Sequence, residues 1–336
     1  MRLWCLAVLA WILVAPASAS QTITLKIATI APDGTSWMLE MRQGAERIAR
    51  RTGNRVKFRF YPGGIMGNDK SVLRKLRIGQ LHGGAITGGG LALIDPNSSI
   101  YGLPFTFRSG GEVDYARERM DPLLIDSLER AGFVTLGFVE GGFAYLMSSA
   151  PLRGMEDLRG RKIWIPEGDR INRAVFEDMN ISPIPLPLPD VLTGLQTGLI
   201  DTVGASAIGA IALQWHTRVK YLTDTPLIYL YGALLVARRA FSKLDARDQI
   251  VVREVMSEIA TRLKRETRED DRRARQALQN QGITFVTPSR ETVMGLHRSV
   301  AVTADRLARE GVVPPQLLEK LRAHLDEYRR TAGATP

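Results

Sequence analysis

Short β-prone runs alternate with amphipathic helical segments along most of this chain, and that alternation constrains its fold more than any other feature. Residues 25–30 (LKIATI) form the first β-prone run, which a turn-forming Ala-Pro-Asp-Gly closes. We predict a helix that Ser36 caps and Gly53 ends, because apolar residues recur there at steps of three and four. A strand at residues 55–61 and a helix at residues 69–77 continue the rhythm. Repetition of strand, turn and helix predicts α/β layers with a largely parallel sheet.

The rest of the chain continues this alternation. Further strands are predicted at residues 85–87, 133–139, 145–148, 162–165, 200–203 and 229–236. Further helices are predicted at residues 170–179, from Asp190 through Leu199, and at residues 245–281. Residues 181–189 carry four prolines at alternate positions, and each proline removes a donor from a sheet ladder. We therefore predict that this segment is an extended crossing strip and not an interior strand.

The long predicted helix at residues 245–281 carries much of the chain's charge. The whole sequence has 45 Lys and Arg against 35 Asp and Glu, a formal net charge of +10, which is typical of proteins that meet polyanions or acidic ligands. Glu269 with Arg273 and Asp271 with Arg275 have the acid-first spacing of four that forms ion pairs on one helix. We predict a solvated, self-paired helix face. No nucleic-acid partner is expected, because the segment lacks stacking aromatics and any recognition motif.

The first nineteen residues have the layout of a secretory signal. A charged start at Arg2 precedes the apolar run at residues 3–14, and Ala17-Ser18-Ala19 is a small-residue cleavage site. We therefore expect cleavage after Ala19. The apolar run is too short to span about 30 Å of hydrocarbon as a helix, so no membrane anchor is expected. Cys5, the one cysteine, would leave with this segment. An exported chain without thiols is expected in the bacterial periplasm.

No group of residues in the sequence forms a recognisable catalytic constellation. Residues 204–209 place a serine between glycines, but with one residue too many for a nucleophile elbow, so a packing loop is predicted. The histidines are too far apart to place two metal ligands on one helix face: His82, His216, His297 and His324. Residues 88–90 (GGG) match no phosphate or dinucleotide loop and predict close backbone packing or approach to a ligand. We expect neither an enzyme nor a cofactor nor a metal.

Several motifs occur in the order found in one family. They are APDGTSW at residues 31–37, YPGGIMGND at 61–69, LRKLRIGQL at 73–81, LPF at 103–105, EDLRGRKIWIP at 156–166 and LQTGLID at 195–201. With these motifs, the chain from about Leu25 to Leu244 resembles the DctP-type solute-binding proteins of TRAP (tripartite ATP-independent periplasmic) transporters.

The resemblance implies an α/β, two-lobed fold like that of type II periplasmic binding proteins, with an interlobe cleft and a long bracing helix. Lobe I would comprise residues 20–142 plus 232–275, and lobe II residues 143–231 plus 276–330. The lobes would close on a small-molecule solute and deliver it to small and large membrane permease subunits, with the binding protein acting as a monomer. A sensing or adaptor role in a signalling or efflux assembly is the alternative, and the sequence does not separate the two.

Three positions depart from the family pattern. Trp164 stands where relatives place an arginine in their KIRVP run, Phe143 stands at a second arginine position, and residues 201–205 (DTVGA) replace DGxEN. A buried carboxylate without a charged partner loses much of its hydration free energy, so an organic-acid solute is disfavoured. We expect an apolar, aromatic cleft for a neutral, hydrophobic or cationic solute; the alternative is a collapsed or repurposed cleft.

The resemblance and these departures together give a set of predicted ligand-binding residues. They are Asp33, Trp37, Asp69, Thr87, Phe105, Phe143, Tyr145, Trp164, Ala205, Ser206 and Tyr231.

Overall fold

A computed structural model describes residues 22–332 of the chain. The predicted secretory signal at residues 1–19, with Cys5, lies outside these residues. Between Thr22 and Ala332, no helix is both long and apolar enough to cross a lipid bilayer.

Ten strands and twelve α-helices make up the described chain. The strands are β1 (Ile23–Ala28), β2 (Val56–Tyr61), β3 (Gly83–Thr87), β4 (Phe133–Ser148), β5 (Trp164–Pro166), β6 (Ile184–Leu186), β7 (Thr202–Ala205), β8 (Tyr221–Thr223), β9 (Ile228–Ala237) and β10 (Thr284–Val286). The helices are α1 (Ser36–Arg51), α2 (Asp69–Arg77), α3 (Gly88–Ala92), α4 (Gly110–Arg130), α5 (Met155–Leu158), α6 (Arg170–Asp178), α7 (Val191–Thr197), α8 (Ala207–Ala212), α9 (Arg238–Phe241), α10 (Ala246–Asn280), α11 (Arg290–Arg309) and α12 (Pro315–Ala332).

Two long antiparallel strands, β4 and β9, hold the main sheet together. The sheet runs in the order β2-β1-β3-β9-β4-β8-β10, and β7 also pairs with β4. The β4–β9 register extends from Phe133 opposite Ala237 to Ala144 opposite Ile228, and β4 then pairs with β7 and β8. The prediction of a largely parallel sheet is wrong. The sheet is mixed, because β4 and β9 run antiparallel through its centre while β1 is parallel to both β2 and β3.

The predicted strands at residues 133–139 and 145–148 are one continuous strand, β4. Its pairing with β9 shifts register between Thr135 and Gly137 and again between Glu140 and Gly142. Gly142 has φ of +79°, a left-handed conformation that glycine adopts without strain. At each shift one residue of β4, Leu136 or Gly141, has no partner on β9, and such an extra residue interrupts the alternation of apolar side chains. The sequence pattern therefore looked like two strands separated by a break.

Local capping also differs from prediction in two places. Thr35, not Ser36, is the N-cap of α1, and its side chain accepts a hydrogen bond from the Met38 backbone N–H. Asp190 occupies the N-cap position of α7, but its side chain accepts no capping hydrogen bond there. The proline-rich segment is not an interior strand, as predicted. Three of its residues, Ile184–Leu186, pair only with β5 in a separate two-stranded sheet.

Helices cover both faces of the first part of the sheet. On one face α1 and α10 pack against β1, β4 and β9, and on the other α4 and α12 form an apolar cluster with β9 and α3. Farther along α10, Ala274 and Leu278 join a different cluster that contains β7, β8 and α8. The 35-residue helix α10 therefore braces both lobes of the fold. The predicted lobe boundaries stay a prediction; α12, assigned there to lobe II, packs on α4, which was assigned to lobe I.

The glycines that begin α3 lie against buried side chains. A Cβ added to Gly88 would lie 2.5 Å from the Tyr231 ring, and one added to Gly90 would lie 2.5 Å from Asp69 Cγ. Close backbone packing is thus confirmed for Gly88 and Gly90, in the first turn of α3. Gly89 differs, because its added Cβ would meet no atom nearer than 3.8 Å.

Gly88→Ala should destabilise the protein by about 2 kcal/mol, because the buried Tyr231 ring cannot move aside without disturbing its neighbours. Gly89→Ala is the matched control in the same helix turn. It should leave stability unchanged or raise it by about 0.5 kcal/mol, since alanine restricts the unfolded chain. Urea unfolding midpoints measure both effects. Equal effects of the two substitutions would contradict the close contact at Gly88.

Candidate ligand-binding site at the strand crossover

The candidate site lies where β4 and β9 pass from one part of the sheet to the other. We define the crossover as Glu140–Phe143 of β4 together with Tyr229–Tyr231 of β9. Glu140 is opposite Tyr231, and Phe143 is opposite Tyr229. Thr87, at the end of β3, pairs with Gly232, so the end of β3 reaches the same place. Three strands therefore bring side chains to the crossover.

Aromatic rings form a continuous row at the crossover. Phe143 meets Tyr229 edge-on with centroids 5.9 Å apart, and Tyr229 stacks parallel to Tyr231 at 6.1 Å. Tyr231 in turn meets Tyr101 edge-on at 5.5 Å. Burial raises the pKa of the Tyr229 and Tyr231 hydroxyls. The Tyr231 hydroxyl donates to the Ser98 carbonyl oxygen, so that its polar atom already has a partner.

A carboxylate from α2 meets the end of β3 beside this row. Thr87 Oγ1 donates to Asp69 Oδ2 and accepts a hydrogen bond from the Gly90 backbone N–H at 3.3 Å. Burial removes water from Asp69 and raises the pKa of its carboxyl group, while the bond from Thr87 opposes that shift. Asp69, Thr87 and Tyr231 were all predicted site residues, and the structure places them around the same three glycines.

The start of α6 covers the crossover from the other side. Asp169 is the N-cap of α6, accepts hydrogen bonds from Asn172 at 3.0 and 2.6 Å, and raises the pKa of Tyr231 further through its negative charge. Burial raises the pKa of Asp169 itself. Ile171 packs into the apolar cluster that contains Tyr229 and Tyr231. The start of α6 therefore lies beside the aromatic row.

Sequence reasoning missed Asp169 as a neighbour of the site. An aspartate directly before an amphipathic helix is a capping signal, and the capping contact is present. No local pattern shows that the capped helix end also lies near Tyr231. The sequence did not predict a contact between the two predicted lobes either. Asn68 Nδ2 donates to Glu167 Oε2 at 3.2 Å across a separation of 99 residues.

A buried ion network fixes the backbone at the crossover. Arg268 on α10 donates to Glu140 at 3.0 and 2.8 Å and to Asp114 on α4 at 2.8 and 2.7 Å. Arg117 on α4 lies 3.9 Å from Glu140 and donates to the Tyr229 hydroxyl at 3.0 Å. Hydrogen bonds to Asp114 and Glu140 raise the pKa of Arg268. Ion pairs and hydrogen bonds therefore connect β4 to both α4 and α10.

This network corrects the prediction of a wholly self-paired face on α10. The Glu269–Arg273 pair is confirmed at 2.9 Å, but Asp271 and Arg275 do not pair with each other. Asp271 accepts from the Ile208 backbone N–H at the start of α8, at 3.3 Å. Arg275 pairs with Asp224 at 2.8 Å, and its guanidinium also lies 4.7 Å from the Tyr145 ring centroid.

Several predicted site residues belong to the interior of the second lobe. Trp164 donates its indole N–H to the Leu186 carbonyl oxygen at 3.0 Å and meets Trp215 edge-on at 5.2 Å. Tyr145 and Ala205, opposite each other on β4 and β7, join the same cluster. Their side chains are buried, which fits the alternative that aromatic residues fill this part of the cleft.

The remaining predicted residues lie in other surroundings. Ser206 caps α8 by accepting from the Gly209 backbone N–H at 3.3 Å, so residues 204–209 are a strand end and a helix start, not a loop. Phe105 meets His297 on α11 edge-on at 5.4 Å. Trp37 packs against the cluster of α1 and α10, and Asp33 is exposed in an ion pair with Arg42. The crossover thus gathers Asp69, Thr87, Phe143 and Tyr231 of the predicted set.

The structure also bears on metal binding. Across residues 22–332, no three His, Cys, Asp or Glu side chains converge in a way that could hold a metal ion.

Arg268→Met should lower the free energy of unfolding by about 3 kcal/mol, because it leaves Glu140 buried with only Arg117 at 3.9 Å. Arg273→Met, on the same helix but in an exposed pair, is the control and should cost less than about 0.5 kcal/mol. Adding Glu140→Gln to Arg268→Met should recover part of the loss, because no buried charge then remains. Urea unfolding of the four proteins measures this, and equal costs for the two arginines would contradict the network.

Asp69→Asn should raise the melting temperature at pH 7.5, and the gain should shrink towards pH 4. The folded state raises the pKa of Asp69, so that the carboxylate costs stability above this pKa, and the cost disappears once the group is protonated in both states. Asp33→Asn is the control of opposite sign, since its hydrogen bond from Arg42 lowers the pKa of Asp33. It should lower stability slightly at pH 7.5 and not at low pH. If the change in melting temperature followed the same pH dependence in both variants, the opposite directions of the Asp69 and Asp33 pKa shifts would be wrong.

Comparison with known proteins adds independent information. Among curated proteins, the 2,3-diketo-L-gulonate-binding periplasmic protein YiaO of Escherichia coli is 24% identical over 245 residues, 71% of this chain and 74% of that protein. The sialic acid-binding periplasmic protein SiaP of Vibrio cholerae is 22% identical over 252 residues, 73% and 77% of the two chains. The uncharacterized protein YiiZ of Salmonella typhimurium is 24% identical over 213 residues; the match spans 62% of this chain and 64% of that protein's length.

Solved structures agree on the fold. The sugar acid binding protein DctPAm of Advenella mimigardefordensis, in complex with galactonate, superposes with a TM-score of 0.85 at 17% identity, covering 91% of this chain and 99% of that one. A TRAP periplasmic solute-binding protein of Ochrobactrum anthropi gives a TM-score of 0.81 at 24% identity, covering 93% and 97%.

Residues 27–308 match the model of the bacterial extracellular solute-binding proteins of family 7, the DctP family. The described chain shares its fold with these TRAP solute-binding proteins along more than nine-tenths of its length. The chain therefore belongs to the DctP family of TRAP solute-binding proteins.

Proposed function

We propose that this protein is the periplasmic solute-binding subunit of a TRAP-type transporter and that its solute is a small apolar or aromatic molecule without a carboxylate. It would capture the solute by lobe closure and deliver it to small and large membrane permease subunits, without catalysing a reaction. The observation that supports the ligand class is the row of aromatic rings at the crossover, which lies next to Asp69 and Asp169, two partly buried carboxyl groups whose pKa is raised by loss of water.

Electrostatics at the crossover oppose an acidic solute. Arg117 and Arg268 are both held by acidic partners, namely Asp121 and Glu140 for the first and Asp114 and Glu140 for the second. The two positions at which the family resemblance places arginines hold Phe143 and Trp164. A solute carboxylate would therefore enter beside Asp69 and Asp169 without a free guanidinium, and like charges in a buried site repel.

The solutes of several relatives are acidic, unlike the solute proposed for this protein. The Escherichia coli protein is named for 2,3-diketo-L-gulonate, and structures of TRAP proteins hold galactonate or succinate. All three are carboxylates. A change of two arginine positions to aromatic residues supports a change in the charge of the solute, because a guanidinium fork is the usual partner for a planar carboxylate.

Lobe closure has a physical basis in a contact between the two predicted lobes. Asn68 of lobe I donates to Glu167 of lobe II at 3.2 Å. A solute that contacts both the end of β3 and the start of α6 would favour a closed arrangement of the lobes over an open one. Its differential affinity for the two states then sets the extent of closure.

A thermal-shift screen of the purified protein tests the ligand class. Neutral aromatic solutes and aromatic amines at about 100 times their Kd should raise the melting temperature by about 4 °C, while galactonate and succinate should not. Phe143→Ala should abolish the response. Phe60→Ala, a half-buried aromatic on β2, is the matched control and should retain it. Stabilisation by galactonate or succinate alone would overturn the proposed ligand class but leave the family assignment intact.

A further inference from the structure

A cavity opens at the end of the sheet remote from the crossover. Its volume is about 590 Å³, and its walls come from α2, the segment after α3, the α4–β4 turn and the β9–α9 junction. Phe133 and Ala237, which pair at this end, line it. Phe133 precedes Glu140 by seven positions on β4, so the cavity lies about 20 Å along the strand from the candidate solute site. We refer to it as the distal pocket.

The floor of the distal pocket is apolar. Large side chains from three separate segments face it: Leu73, Leu76, Leu93, Ile94 and Phe133. Leu73 and Leu76 are buried, whereas Leu93 is 53% exposed, so that part of the apolar surface is accessible to a ligand. The cavity volume falls within the range of about 300–1,000 Å³ that is typical of small-molecule sites.

Three arginines surround this apolar floor. Arg77 lies at the end of α2, and Arg238 and Arg239 form the first turn of α9. Arg238 donates to the Glu129 carbonyl oxygen and Arg239 to the Leu76 carbonyl oxygen, so backbone contacts orient both guanidiniums. Within the described part of the chain, none of the three forms an ion pair.

The neighbouring acid does not neutralise these arginines. The carboxylate of Glu129, whose carbonyl oxygen holds Arg238, faces Arg253 at 3.6 Å. The distal pocket therefore combines an apolar floor with three guanidiniums, each able to donate further hydrogen bonds. All three arginines are exposed, so their guanidiniums are accessible to a ligand from solution. A guanidinium binds a carboxylate or sulfonate through paired N–H donors.

We propose that the distal pocket binds an amphiphilic organic anion, an aliphatic or aromatic body that carries one carboxylate or sulfonate. The acid group lies among Arg77, Arg238 and Arg239, and the apolar body covers the leucine floor. This site is separate from the solute site at the crossover. Because all its walls belong to the first part of the sheet and the helices beside it, it exists whether the lobes are open or closed.

Anilinonaphthalene sulfonate is a suitable probe, because it joins an aromatic body to a single sulfonate and fluoresces when it leaves water. Titration into the purified protein should show saturable binding, and decanoate should displace the dye whereas decanol should not. The Arg77→Gln/Arg238→Gln double variant should bind the dye about tenfold more weakly, as expected for the loss of charged hydrogen bonds. Ser242→Trp, at the exposed pocket wall, should block binding without changing the charge.

Two controls separate this proposal from other sources of dye binding. Arg50→Gln/Arg173→Gln removes the same charge from exposed helix pairs elsewhere and should leave the affinity unchanged. Phe143→Ala, at the crossover, should also leave it unchanged. Dye binding that is lost in Phe143→Ala but retained in both distal-pocket variants would overturn the proposal, as would displacement by decanol as effective as that by decanoate. Neither result would affect the solute-binding role.

Discussion

The buried carboxylate of Glu140 is the constraint on which the rest of this architecture depends. Its side chain is 2% exposed at the point where β4 passes from one lobe to the other. A carboxylate at that depth is tolerable only with charged partners and satisfied hydrogen bonds, and Arg268 supplies both. Arg268 must reach Glu140 from α10 while it also holds Asp114 on α4. The position of α10 against β4 and α4 follows from this requirement.

Elements with local causes were predictable from the sequence. The helix Asp69–Arg77 has the bounds that its apolar spacing indicates, because Asn68 caps its start through the Ser71 backbone N–H. The partners of the arginines on α10 were not predictable. Asp271 and Arg275 have ideal spacing for a pair, but Arg275 finds Asp224, 51 residues away, and Asp271 finds a backbone N–H of α8. Helix spacing describes only the neighbours on the same helix, and partly buried arginines take partners from whichever element packs against them.

The candidate site also contains residues whose positions the sequence predicted correctly and residues whose surroundings it did not. Motif order led to Asp69, Thr87, Phe143 and Tyr231, which do meet around the crossover. The same reasoning also selected Trp164, whose indole N–H is bound to Leu186 in the lobe interior. A sequence motif fixes where a residue lies on a strand, but the direction of a large side chain depends on the space left by residues distant in sequence. Replacement of an arginine by tryptophan can therefore remove a ligand contact and extend the core in one step.

The positive charge of the chain is interpreted differently once the ion-pair partners of the arginines are known. A net charge of +10 first indicated an acidic solute. Near the crossover, however, Arg117 and Arg268 are bound to Asp121, Asp114 and Glu140, so their charge is locally neutralised. Guanidiniums without acidic partners occur instead at the distal pocket, about 20 Å away along β4. Net charge alone therefore says little about the solute, because binding depends on which cations remain unpaired and on the surface beside them.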